Sequence, residues 1–177
     1  MEYVDNGKGV LIPDAALEVG GVFHIEHLRD GQLIDAWDEH NIVVNEGLNS
    51  MLGIMFHSDT QLTNWYVGLF EGNYTPVATD TASVIASNAT ETTAYTSTTR
   101  PAYTVAAASG QQVTNTASTA NFTFNATKTI YGGFVISDNT KSGTTGKLFC
   151  ASRFSTSRSV VSGDQMLVTY TLSAASS

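Results

Sequence analysis

The chain has 177 residues, the length of one domain, and only 14% of them are charged, against about 25% in an ordinary globular protein. Its net charge of −8 is uneven: residues 1–80 hold thirteen acids against two bases, Lys8 and Arg29, and residues 81–177 hold three acids against six scattered bases. Nucleic acid is thereby excluded as a partner, since phosphate recognition needs clustered Lys and Arg; no run is apolar enough to predict a membrane-spanning helix, and the lone Cys150 excludes an intrachain disulfide.

The missing charge is replaced by Thr, Ser, Ala, Asn and Gly, which suit exposed strand faces and turns. The amino terminus carries acids and no long apolar run, unlike a secretory signal, so the chain is expected to be made and folded in a cytoplasm. Residues 1–21 show no sustained periodicity. Gly7, Gly9, Pro13, Gly20 and Gly21 interrupt the apolar pieces Val10-Leu11-Ile12 and Ala15-Ala16-Leu17, which predicts an extended arm that needs a surface to lie on. The folded domain is then 22–177.

Val22–Arg29 and Gln32–Glu39 alternate around Asp30-Gly31, a pair suited to the positive φ values of a type I′ hairpin turn. Ile42-Val43-Val44 continues as a short strand. Asn45 reads as a helix cap, with Glu46 placed for the helix dipole. Leu48, Met51, Leu52 and Met55 recur at i, i+3, i+4 and i+7, and Ile54 and Phe56 widen that stripe. A short, well-buried helix near 46–56, ending by His57, is expected. Trp65–Phe70 is a strand core, and residues 79–99, with few anchors, read as a long Thr/Ser/Ala-rich surface loop with room for one short element. Arg100–Val105 and Gln111–Asn115 are expected to flank a turn at Ser109-Gly110. Further strands follow at Ala120–Phe124, Thr129–Ser137, Lys147–Phe154 and from Gln165, with Ala174–Ser177 a frayed tail. Short strands punctuated by turns predict a mainly β chain, an antiparallel β-sandwich of jelly-roll or Ig-like type with one helix.

Reactive groups do not gather. His24 and His27 are three apart on a strand and face opposite ways, which predicts no zinc site. Asp35, Asp38 and Glu39 surround Trp37, a pattern that fits a carboxylate pair beside a sugar-stacking ring, but fits a hydrated strand face better. Cys150 lies in the apolar run Leu148–Ala151, away from any base. Trp65, Tyr66, Phe70, Tyr74, Tyr95 and Tyr103 are read as core and interface residues before a sugar platform. No catalytic, cofactor-binding or metal-ligating residue is assigned, and the chain is expected to bind rather than catalyse.

Val43-Val44-Asn45-Glu46-Gly47-Leu48-Asn49, followed by Trp65-Tyr66-Val67-Gly68-Leu69, resembles a widespread family of tailed-bacteriophage structural proteins. Tyr95, Arg100-Pro101-Ala102-Tyr103, the runs Ser137–Lys141 and Gly143–Leu148, and Val161-Ser162-Gly163-Asp164 are similar too, so the resemblance spans about residues 22–172. The chain departs from the family pattern after Asp80, where it reads Ala82-Ser83-Val84-Ile85-Ala86-Ser87-Asn88. The resemblance implies a virion protein on the capsid surface: a decoration or cement protein that binds the major capsid protein, as a dimer or trimer. The alternative it implies is a tail- or fibre-associated module that contacts host glycans. Val10, Leu11, Ile12 and Leu17 of the arm, with Trp37, Trp65, Tyr66 and Tyr103, are the expected capsid or subunit contacts.

Overall fold

The computed structural model describes residues 3–5, 11–13 and 17–176; the rest of the proposed arm, Val10 included, lies outside the described residues. Asp30 and Gly31 adopt φ of 52° and 75°, the geometry of a type I′ turn, and join β3 (Leu17–Arg29) to β4 (Gln32–His40). The expected hairpin is therefore present, but β3 starts at Leu17. Residues 17–21, assigned to the arm from sequence, belong to the sheet. They pair with Ala174–Ser176 and the residues before them at the end of β11 (Gln165–Ser176), so that segment is a strand and not a frayed tail.

β11 is the spine of one antiparallel sheet. One edge runs along the whole of β3; the other pairs with β8 (Ala120–Thr123) and then β7 (Gln112–Thr114). Asn115 bridges the gap between those two. Its Oδ1 accepts from Tyr170 N at 2.7 Å, and its Nδ2 donates to Val168 O at 3.1 Å. The second sheet has the order β5 (Ile42–Val43), β10 (Leu148–Val160), β9 (Lys128–Ile136) and β6 (Tyr66–Phe70). Two antiparallel sheets thus make the β-sandwich. A two-stranded ribbon, β1 (Tyr3–Asp5) on β2 (Leu11–Pro13), pairs with neither sheet among the described residues.

Alternation places the core. Phe23 and Ile25 of β3, Phe122 of β8, and Met166, Val168 and Tyr170 of β11 meet Val67 and Leu69 of β6, Ile130 and Val135 of β9, and Cys150 and Phe154 of β10. Burial pushes the Cys150 thiol up to about 12, so it stays neutral and unreactive, as its apolar setting predicts.

The outer face of the second sheet is also covered. Residues 79–99 hold the short element expected there, but the segment packs down on the sheet instead of lying open as a loop. A short helix α2 (Ala82–Val84) runs into a π-helical turn at Ile85–Thr90, and Ala82, Ile85 and Ala89 pack on Phe70, Phe134, Ile136, Leu148 and Ala151. Gly68 and Gly132 leave room for this layer: a Cβ at either would run into the ring of Phe134 or Phe70. The following chain seals the open edge of β6 through Thr92 N to Leu69 O and Val67 N to Pro101 O, both 2.9 Å. Residues 100–105 therefore touch β6 without becoming the expected strand. Pro101 has no N–H to continue a ladder.

Arg100 fixes that wrap from inside. Its guanidinium is buried, donates to both oxygens of Glu91 (2.8 and 2.6 Å) and reaches Asp138 O at 2.7 Å. Glu91 in turn accepts from Ser142 N at 2.8 Å, so one ion pair ties residues 91–100 to the loop joining β9 and β10.

Candidate functional site: an apolar groove and helix face

Helix α1 (Asn45–Phe56) ends at His57, as expected, but its start and its burial differ from expectation. Val44 is the residue before the first turn; Asn45 lies within it and makes no side-chain cap, its N–H going to Ala78 O at 2.8 Å. Only Gly47 is fully buried, because any Cβ there would run into the Phe149 backbone. Leu52, Met55 and Phe56 are 54%, 68% and 78% exposed. The wide apolar stripe has one covered side and one bare one.

The covered side borders a groove of about 550 Å³. Met51, Ile54 and Met55 of α1 form one wall, and Trp65, Tyr66, Tyr103 and Val105 the other, with Phe149, Tyr170 and Leu172 beneath. Backbone bonding creates this convergence: Tyr103 N donates to Trp65 O at 2.7 Å, and Tyr66 bridges to Ala102. Trp65 meets Phe149 edge-on, with centroids 5.6 Å apart, and Tyr103 leans on Tyr170 at 5.5 Å. The Tyr103 hydroxyl donates to Tyr170 O at 3.1 Å, and burial raises its pKa. It is thus a fixed neutral post. Every residue lining the groove is uncharged, so it suits apolar side chains.

A second cleft, about 570 Å³, lies across α1 and carries charged groups, Glu46, Asp59, Asp80 and Lys147, in its lining. These groups already have partners. Glu46 accepts from Leu148 N at 2.9 Å and lies 3.5 Å from Lys147; Asp80 holds the Tyr74 hydroxyl at 2.8 Å and Val77 N at 2.9 Å.

The other sequence-selected residues are dispersed. Leu17, 69% exposed, opens β3. Leu11 and Ile12 lie in β2, and their side chains lie outside the described residues. Trp37 stands on β4 far from the groove lining, edge-on to Phe154 with the Arg158 guanidinium 4.3 Å from its centroid. The acidic residues around it are spent separately: Asp35 on Arg158 (2.8 Å), Asp38 on His24 (2.6 Å), and Glu39 on Ser155 N and Oγ (both 2.6 Å). Phe70 and Tyr95 are core residues. Among the described residues, no three His, Cys, Asp or Glu side chains gather as a metal site, and no helix is long and apolar enough to cross a membrane.

One further ionic cluster is structural. Asp164, at the turn into β11, accepts from Arg29 Nε and Nη2 (both 2.8 Å) and from Val161 N (2.9 Å), and meets His27 Nε2 at 2.9 Å. The Arg29 guanidinium holds this carboxyl well below the usual carboxylate range. It ties the β3–β4 turn to the β10–β11 turn.

Sequence reasoning found Trp65, Tyr66 and Tyr103 but read Leu52, Met55 and Phe56 as interior. The available signal was the width of the stripe, since apolar residues on nearly all sides of a helix need cover on nearly all sides. No known protein-family model and no curated protein matches the chain.

Proposed function

We propose that this protein is a structural binding module of a tailed-phage virion, a capsid decoration protein that docks on the major capsid protein and stabilises the head. It is a binder and not a catalyst. The resemblance of residues 22–172 to phage structural proteins supports the virion setting. The observation that carries the docking is the β1–β2 ribbon, which among the described residues pairs with neither sheet. A two-stranded ribbon alone is at best marginally stable in water. Laid on a capsid subunit it gains a surface and contributes about 25 cal/mol for each Å² of apolar area buried, less the entropy of ordering. Repetition over the lattice multiplies a modest gain.

The aromatic groove favours the runner-up reading, a tail or fibre module for host glycans, because Trp65 and Tyr66 are partly exposed beside Gln61, Thr63 and Asn64. A phage deleted for the gene separates the two readings. Decoration predicts assembled, infectious heads that lose heat and osmotic resistance, restored by adding back the protein. A deletion phage with full head stability but impaired adsorption supports the glycan module instead.

A further inference from the structure

We infer that residues 81–90 form a lid, a unit that opens and recloses over the outer face of the second sheet while both sheets stay folded. The inference concerns a moving part of the fold and holds whatever the protein docks on.

Two fixed posts bound the segment. Before it, Asp80 is buried and accepts from the Tyr74 hydroxyl at 2.8 Å and from Val77 N at 2.9 Å. After it, Glu91 is buried and held by Arg100 and by Ser142 N. Between the posts the chain bonds mainly to itself. Thr81 Oγ1 meets Ser83 Oγ at 3.2 Å, Ser87 Oγ donates to Ser83 O at 2.7 Å, and Ile85 N donates to Thr81 O at 3.1 Å. Among the described residues, the hydrogen bonds that tie 81–90 to the rest of the molecule are Gly72 N to Ala89 O (2.7 Å) and Glu71 N to Thr90 O (2.8 Å), both at its carboxyl end.

The contact that holds the lid shut is small: Ile85 and the methyl groups of Ala82 and Ala89, laid on a hollow walled by Phe70 and Phe134. Backbone strain works against it. Neither helical piece has a side-chain cap, and a π-helical turn is a rare conformation found mostly as a single turn at functional sites. Thr90, a β-branched residue, sits at φ 56°, a left-handed conformation that bulky residues avoid. Such strain persists only where the surroundings impose it, and here the post at Glu91 and the two carboxyl-end bonds do so. A segment with few apolar contacts and its own internal bonding opens at a lower free energy than the whole domain unfolds. Thr81 and Thr90 are the hinges, and opening uncovers the rings of Phe70 and Phe134.

Hydrogen exchange of the full-length protein in sub-denaturing urea, resolved by residue, tests this. The Ile85, Glu71 and Gly72 amides are expected to be protected, but at least about tenfold less than the Gly133 and Val135 amides, which lie where β9 is paired on both sides. Their exchange should depend little on urea, because the opening exposes little surface. Thr90→Asn, which tolerates a positive φ, should raise the protection of the lid amides about fivefold. Gly72→Ala, whose Cβ would lie 2.5 Å from Ala89 O, should lower the protection of Ile85 with the circular dichroism of the sheets retained. Lid amides that share the protection and urea slope of Gly133 and Val135, lid amides with no protection at all, no gain from Thr90→Asn, or loss of the sheet signal in Gly72→Ala would overturn the inference.

Discussion

Two helical segments flank the second sheet, and they differ in what becomes of their apolar side chains. The segment 82–90 is poor in them, yet Ala82, Ile85 and Ala89 are all buried on the sheet, and the chain beyond is tied in by the Arg100–Glu91 pair. Helix α1 is rich in them, yet Leu52, Met55 and Phe56 face solvent. Long-range partners decided the first outcome: Phe70 and Phe134 left a hollow, and Ile85, flanked by Ala82 and Ala89, filled it. At α1 the fold offers the Phe149 backbone, the core edge under Leu48 and the groove, which satisfy one side of the helix. The first segment belongs to the stability of the monomer, and the bare side of the second adds little to it.

Substitutions that sharpen this contrast are ordered by expected effect. Arg100→Ala leaves Glu91 buried without its partner and releases the loop whose Asp138 and Gly143 carbonyls accept from Arg100; breaking such a buried pair costs about 3–5 kcal/mol, read as a lower urea midpoint. Ile85→Ala opens a cavity under the 82–90 segment and should cost about 2–4 kcal/mol in the same assay. Asp164→Asn should cost about 2 kcal/mol at neutral pH, less than Arg100→Ala because Arg29 is half exposed and regains water. The sign with pH follows from the lowered carboxyl. Its stabilisation is complete above the ordinary carboxylate value near ~3.9 and is lost as pH falls through the lower folded value. Wild-type stability should therefore fall more steeply than that of Asp164→Asn when urea midpoints are compared below about pH 4. Phe56→Ala, despite removing the largest apolar side chain of α1, should change the urea midpoint of monomeric protein by no more than about 0.5 kcal/mol. A large loss there would mean that Phe56 is packed, and the contrast between the two segments would fail.

The strands were legible where one face alone decides. Asp30-Gly31 announced its hairpin, and Phe122, Met166, Val168 and Tyr170 announced their inward faces by alternation. Segment 82–100 was not legible, because its anchors are small and its order comes from distant groups, Ser142, Asp138 and Leu69 among them. The extension of β3 back to Leu17 was hidden for a similar reason: Gly20 and Gly21 break the apolar pattern, while the pairing is supplied by Leu172 and Ser173. In the groove, Trp65, Tyr66 and Tyr103 could be named from residue type. Their meeting depends on the Tyr103–Trp65 backbone bond, which no local pattern encodes. The helix stripe revealed which residues of α1 are apolar, but not how many sides the fold would cover.

The reading as a capsid decoration protein is tested most directly by locating and counting this chain in a density map of the virion that contains it. The account predicts hundreds of symmetry-arranged copies on the head, with the β1–β2 ribbon lying on a capsid subunit. About a dozen copies at the neck or tail, or a head shell without the chain, would contradict it.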